Sequence, residues 1–172
     1  AGGGAGEKAA AALGGVEAAF CVLGGGRWAA PPELDRARSF VELCRAANVP
    51  HVSLLSCIWA DTASSVQSAR QHGEIAELFA AGGFARLSVF RPSLVMRGGG
   101  GPVPERAGLA ERAYITAFPT VRQFLPSRYR EVSLDDAVLA MRLNAELCDS
   151  AERVERLDFV DMMKIIGKED VV

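Results

Sequence analysis

The fold turns on residues 18–23, AAFCVL, closed by Gly24-Gly25-Gly26. An unbroken apolar run of this length, ended by glycine, is too short for a helix and shows no polar alternation. It reads as a strand buried on both faces of a parallel sheet. Beyond it the period changes. Pro31-Pro32 opens a helix, because proline is tolerated in a first turn. Leu34, Ala37, Val41 and Cys44 then recur at three and four residues as an apolar stripe, which Asn48-Val49-Pro50 ends. HVSLLS (51–56) predicts a second strand. Asp61 to Ser65 supplies candidate caps for a helix through about Ala81, stopped at Gly82-Gly83. ARLSVF (85–90) predicts a third strand, running straight into Arg91-Pro92.

Outward from this core the signals are weaker. Residues 1–17 read as a glycine-rich end with a short helix at 8–15, and 18–97 as the βαβαβ core. The stretch 98–106 is a glycine- and proline-rich loop. Residues 107–172 form a mainly helical part that completes the domain. Within it Ala107 to Phe118 is weakly helical and Tyr129 to Val132 a short strand. Ser133 with Asp136 makes a capping box for a helix over 134–147. Val154 to Phe159 is a strand feeding a helix around Val160 to Ile166. Strands alternating with helix-length crossovers predict an α/β fold: the C-terminal half of a doubly wound, Rossmann-like parallel sheet with flanking helices, built of right-handed units.

With 49% hydrophobic and 23% charged residues, the chain has the balance of one globular domain rather than of a disordered segment. No apolar run approaches the ~20 residues of a membrane span, so association with a membrane complex would go through protein. The 19 basic and 21 acidic residues are dispersed, with no basic stripe for nucleic acid. Cys21, Cys44, Cys57 and Cys148 lie far apart, which argues for buried thiols in a reducing compartment, cytoplasmic or organellar, and against a metal site. His51, at the head of a strand, is expected to be a structural hydrogen-bonding group.

Four segments, in order, carry a resemblance: FCVLGGGR (20–27), HVSLLSCIWAD (51–61), HGEIAE (72–77) and LSVFRPSLVM (87–96). Together they resemble the fourth to sixth strands of atypical short-chain dehydrogenases/reductases, most nearly the branch of the HIV Tat-interacting protein. The resemblance covers 18–97 and thins beyond. It implies an NAD(P)-binding fold. Leu23, Gly24, Gly25 and Arg27 after one strand, with Arg91 and Pro92 after another, would be the surviving side of a cofactor crevice. Ser56 or Cys57 falls in the family's catalytic-serine region.

Two departures bear on function. The family's pyrophosphate-binding first strand and glycine turn have no counterpart, since the sequence enters the pattern about three βα units late. Gly2 to Lys8 lacks phosphate-loop spacing. The family also sets a tyrosine and a lysine four residues apart on the helix after the fifth strand, the lysine charge lowering the phenol's pKa for proton transfer. Counted from HGE, those positions hold Ser68 and His72. A serine hydroxyl is too weak an acid to replace the phenol, and a histidine is shorter and mostly neutral near pH 7. Tyr114 and Tyr129 are followed four residues on by Phe118 and Ser133, so the pair is not displaced elsewhere. A new Ser68–His72 nucleophile and base would lack an oxyanion hole and an orienting acid.

The expectation is therefore a pseudoenzyme: a scaffold, accessory or regulatory subunit with no catalytic residue and no cofactor. The alternative is an NAD(P)-dependent oxidoreductase or dinucleotide sensor whose cofactor-binding half lies elsewhere. Either way the apolar 18–23 strand would form an exposed edge, to be covered by an upstream half or by a partner protein.

Overall fold

The computed structural model describes residues 11–23, 34–96, 126–147 and 149–169. The predicted Gly24 to Arg27 turn, the Pro31-Pro32 start, the 98–106 loop and the 107–118 helix lie outside them. Four parallel strands make the main sheet: β1 (Ala18–Val22), β2 (His51–Leu55), β3 (Arg86–Phe90) and β6 (Val154–Leu157), in the order β1-β2-β3-β6. Two crossovers, α1 (Leu34–Ala46) and α2 (Gln67–Ala80), pack on one face. That face carries Cys21, Val52, Leu54, Leu87 and Val89, which bury against Ala37, Val41, Cys44, Ile75 and Phe79. The predicted stripe of α1 is the buried one. Asn48 ends it in the left-handed region, at φ 56, a conformation asparagine tolerates.

The connection from β3 to β6 does not repeat the first two. It contains β4 (Leu94–Met96) and β5 (Glu131–Ser133), which pair in parallel as a separate two-stranded sheet. Its helix α3 (Leu134–Leu147) lies with α4 (Phe159–Ile165) on the opposite face of the main sheet, burying Ala137, Ala140, Met141, Phe159, Met162 and Met163 against Phe90. The expectation of uniform βαβ units therefore holds for α1 and α2 but not for α3.

Cap chemistry was legible at some ends and not at others. Ser133 Oγ accepts the Asp136 N–H at 3.0 Å, as the capping-box reading requires. Asp158 caps α4 reciprocally with Asp161. The Asp61 to Ser65 stretch, in contrast, does not cap α2, which starts from Val66, the next residue, with no side-chain cap. Asp61 Oδ1 instead accepts the Ala63 N–H and Ser64 Oγ the Val66 N–H. Both side chains are spent on local turns before the helix begins.

The deciding strand also needs a correction. β1 is buried on one face only: Cys21 is 3% exposed, but Phe20 is 45% and Val22 58% exposed. Among the described residues it is the edge of the sheet, paired with β2 alone.

Candidate active-site crevice at the carboxyl ends of the strands

In open parallel sheets ligands bind beyond the carboxyl ends of the strands, where the loops converge. Here those loops are tied together. The Ser56 N–H donates to the Phe90 carbonyl at 2.8 Å and the Ile58 N–H to the Pro92 carbonyl at 3.1 Å. Arg91 donates through Nη2 to the Ile58 carbonyl at 3.0 Å. The Arg91 N–H donates to the Leu157 carbonyl at 2.7 Å, joining β6 to the same cluster. Ser93 Oγ sits 2.7 Å from the carbonyls of both Tyr129 and Arg130, which share its one proton. Trp59 stacks on Tyr129 with centroids 5.5 Å apart, and the Arg128 guanidinium lies 4.8 Å from the centre of the Tyr129 ring.

The structure thus brings Ser56, Cys57, Arg91 and Pro92 to one end of the sheet, with half-buried Leu23 ending β1 on the same side. Gly24, Gly25 and Arg27 lie outside the described residues. Ser56 is 7% exposed and its hydroxyl has no hydrogen-bond partner, an arrangement that costs stability. Sequence reasoning missed the Trp59–Tyr129–Arg128 group because Trp59 lies 70 residues before Tyr129 and the three belong to no local pattern.

Ser68 and His72 both lie on α2, Ser68 half-buried and His72 only 8% exposed. No hydrogen bond joins them. Burial pushes the His72 imidazole below its ordinary pKa, toward the neutral form. The glycine of the HGE motif has a packing reason. A Cβ on Gly73 would stand 2.5 Å from the Thr62 backbone nitrogen and 2.7 Å from the Asp61 carbonyl carbon. With the Asp61 N–H donating to the Ala69 carbonyl at 3.1 Å, this brings the loop after β2 flat against α2.

A second polar cluster occupies the amino ends of the strands, away from the crevice. His51 Nε2 is 2.8 Å from Ser88 Oγ, as expected of a structural histidine. Ser88 Oγ lies 2.5 Å from Glu155 Oε1 and 3.0 Å from Asn144 Oδ1. Arg86 Nη2 reaches Glu155 Oε1 at 2.7 Å and Asn144 Oδ1 at 3.1 Å. Burial pushes the Glu155 carboxyl up, but the Ser88 hydroxyl and the Arg86 guanidinium outweigh it and hold the group below its usual range. Burial, with the Arg86 charge, lowers the pKa of His51. Serine here bridges acid and histidine rather than facing a histidine that the acid orients, so the trio is no nucleophile relay. Among the described residues no group of three His, Cys, Asp or Glu is placed to hold a metal ion.

Strand order, the placement of the helices and the separate parallel pair decide the architecture. The chain has a Rossmann-like fold. Solved structures share it at low identity. MoeE5 in complex with UDP-glucose and NAD superposes with a TM-score of 0.55 at 15% identity, over 91% of this chain and 63% of that one. UDP-N-acetylglucosamine 4-epimerase from Bacillus cereus gives 0.55 at 10%, over 89% and 62%. A nucleoside-diphosphate-sugar epimerase from Staphylococcus aureus gives 0.54 at 12%, over 89% and 51%. No family model and no curated protein matches the sequence. The Rossmann-like chain therefore spans about half to two thirds of the length of the structures it resembles. No helix among its described residues is long and apolar enough to cross a membrane.

Proposed function

We propose that this chain is a non-catalytic relative of the short-chain dehydrogenases, serving as a scaffold, accessory or regulatory subunit. The observation that carries the reading is the state of His72. At the position where the motif order puts the family's lysine, the side chain is buried and held toward neutrality. A neutral imidazole cannot supply the fixed positive charge that acidifies a phenol, and Ser68 offers no phenol to acidify. The finer placement near the Tat-interacting branch rests on the order of the four motifs. The compartment in this reading is reducing: Cys21 and Cys44 are buried free thiols, and burial, with Cys44 nearby, pushes the Cys21 thiol up to about 12.

The competing reading is an oxidoreductase or dinucleotide sensor that binds NAD(P) through Leu23, Arg91 and Pro92 together with residues beyond these. Thermal unfolding of the native polypeptide with millimolar NAD(H) and NADP(H), alongside assays on small carbonyl substrates, separates the two. A ligand at a hundred times its Kd stabilises by about 2.7 kcal/mol, several degrees in Tm. The scaffold reading expects neither shift nor turnover. A shift without turnover favours the sensor, and turnover overturns the proposal.

A further inference from the structure

On the face of the sheet that carries α3, a row of polar side chains crosses three strands. Val52, Leu54, Leu87 and Val89 bury under α1 and α2. Ser53 and Ser88 alternate with them and therefore face the other way, toward α3. They are register partners on the adjacent strands β2 and β3, and Glu155 on β6 continues the row. Asn144 reaches down to it from α3, which packs on β2.

The hydrogen bonds of this row leave two atoms over. Ser88 Oγ meets His51, Glu155 and Asn144 Oδ1. Asn144 Oδ1 also accepts from Arg86 Nη2 at 3.1 Å. A guanidinium only donates, so this contact fixes which end of the amide is oxygen; turned over, the amide would set N–H against N–H. Asn144 Nδ2 therefore points away from Arg86 with two protons to give. Ser53 is fully buried and Asn144 1% exposed, and among the described residues neither Ser53 Oγ nor Asn144 Nδ2 has a hydrogen-bond partner. Burying either atom without one is costly.

The spacing of the strands sets the gap between them. Ser53 stands one strand spacing, about 4.8 Å, from Ser88, whose hydroxyl meets the Asn144 amide. That is too far for a direct bond and close to the span of two hydrogen bonds of about 2.8 Å meeting at one oxygen. Small side chains border the gap: Ser53 and Ser88 on the sheet and, one turn before Asn144, the fully buried Ala140 on the helix. Charge then selects the occupant. The Asn144 N–H groups and the Arg86 guanidinium repel a cation, and the Glu155 carboxylate repels an anion. A small neutral molecule that both accepts and donates satisfies the site. We infer that a single water molecule is bound between Ser53 and Asn144, accepting an Asn144 N–H and donating to Ser53 Oγ. It ties α3 to β2 and holds the amide with Oδ1 on Arg86 and Ser88. The site is at the amino ends of the strands and is independent of whether the crevice does chemistry.

A high-resolution crystal structure of the native polypeptide, with oxygen-17 relaxation dispersion in solution, tests this. The expected density is one water oxygen within about 3.2 Å of both Ser53 Oγ and Asn144 Nδ2. Ser53→Val fills the gap with methyl groups and is expected to remove one long-lived water from the dispersion. Ser56→Ala, which alters the other unpartnered buried serine of the same segment, is expected to leave that water in place. A gap without density, a direct Ser53–Asn144 hydrogen bond, or a dispersion that Ser53→Val leaves unchanged would overturn the inference. Where Ser53→Val fails to fold, the density of the unaltered polypeptide decides alone.

Discussion

Replacing Arg86 by Met tests the polar cluster at the amino ends of the strands most directly. Arg86 and Glu155 are 2.7 Å apart, their side chains 16% and 11% exposed, on adjacent strands β3 and β6. Removing one partner of a pair so placed leaves an uncompensated charge, which costs roughly 3–5 kcal/mol in buried sites. Ser88 remains beside the carboxylate and some solvent reaches it, so the lower figure, about 3 kcal/mol, applies at pH 7. Replacing both partners, Arg86→Met with Glu155→Leu, removes the orphaned charge and is expected to return stability to within about 1 kcal/mol of the parent. The pH dependence provides an internal check. Glu155 in the native protein is held below its usual range, so its contribution is present above the unfolded carboxylate pKa of about 4.3 and lost as pH falls through the folded value. Without Arg86 the carboxyl titrates higher, and the deficit of the single variant shrinks as the pH is lowered and the proton neutralises it. Urea unfolding followed by far-UV circular dichroism at pH 7 and 4.5 reads both effects. A single-variant loss below about 1 kcal/mol, or a double variant as unstable as the sum of its parts, would refute the reasoning.

The remaining expectations concern the α2 glycine and the two histidines. Gly73→Ala gains about 1 kcal/mol of helix propensity, yet its Cβ meets the Thr62 and Asp61 backbone at 2.5 and 2.7 Å, so a net loss of about 1–2 kcal/mol is expected. A raised Tm for that variant would show that the loop after β2 does not press on α2. His51 and His72 both have lowered pKa values in the folded state, so the unfolded chain takes up protons the native state refuses. Stability is full above the ordinary histidine pKa near 6.5 and falls with pH below it, by at most about 1.4 kcal/mol per pH unit for each residue. His72→Leu should halve the slope between pH 6.5 and 5; an unchanged slope would mean that His72 is solvated.

Much of the fold could be read from local pattern because local pattern is what fixed it. The stripe Leu34, Ala37, Val41, Cys44 makes one face of α1 whatever it packs on, and the capping serine of α3 acts within one turn. The misread features depend on partners far along the chain. Phe20 and Val22 belong to a fully apolar run, but their exposure depends on whether another strand and helix reach them. The Asp61 to Ser65 stretch offers four residues of cap chemistry, and turns inside the loop took up Asp61 and Ser64 before α2 began. Apart from His51, the polar cluster at the amino ends left no signal, since Arg86 meets Asn144 and Glu155 across 58 and 69 residues of sequence. Ser56, Cys57, Arg91 and Pro92 share the carboxyl end of the sheet because each directly follows one of two adjacent parallel strands. Motif order gave no hint that Trp59 and Tyr129 would stack beside them.

The two ends of the sheet bear differently on function. At the amino ends His51, Arg86, Ser88 and Glu155 all have partners, while the buried Ser53 hydroxyl and the Asn144 amide nitrogen do not, and the arrangement serves cohesion between β2, β3, β6 and α3. At the carboxyl ends the loops are cross-linked through Ser56, Ile58 and Arg91, and a glycine keeps α2 close. The Ser56 hydroxyl stays buried there with nothing to bind. That orphan hydroxyl and the burial of His72 pull in opposite directions. The unpartnered hydroxyl leaves a hydrogen bond open to a polar group, while a neutral imidazole supplies no fixed positive charge beside it. In the proposed reading, a site with a neutral imidazole at the lysine position is suited to holding something rather than converting it. Cofactor-dependent stabilisation without turnover is therefore the one result that would move the proposal from scaffold to sensor while keeping it a non-catalytic one.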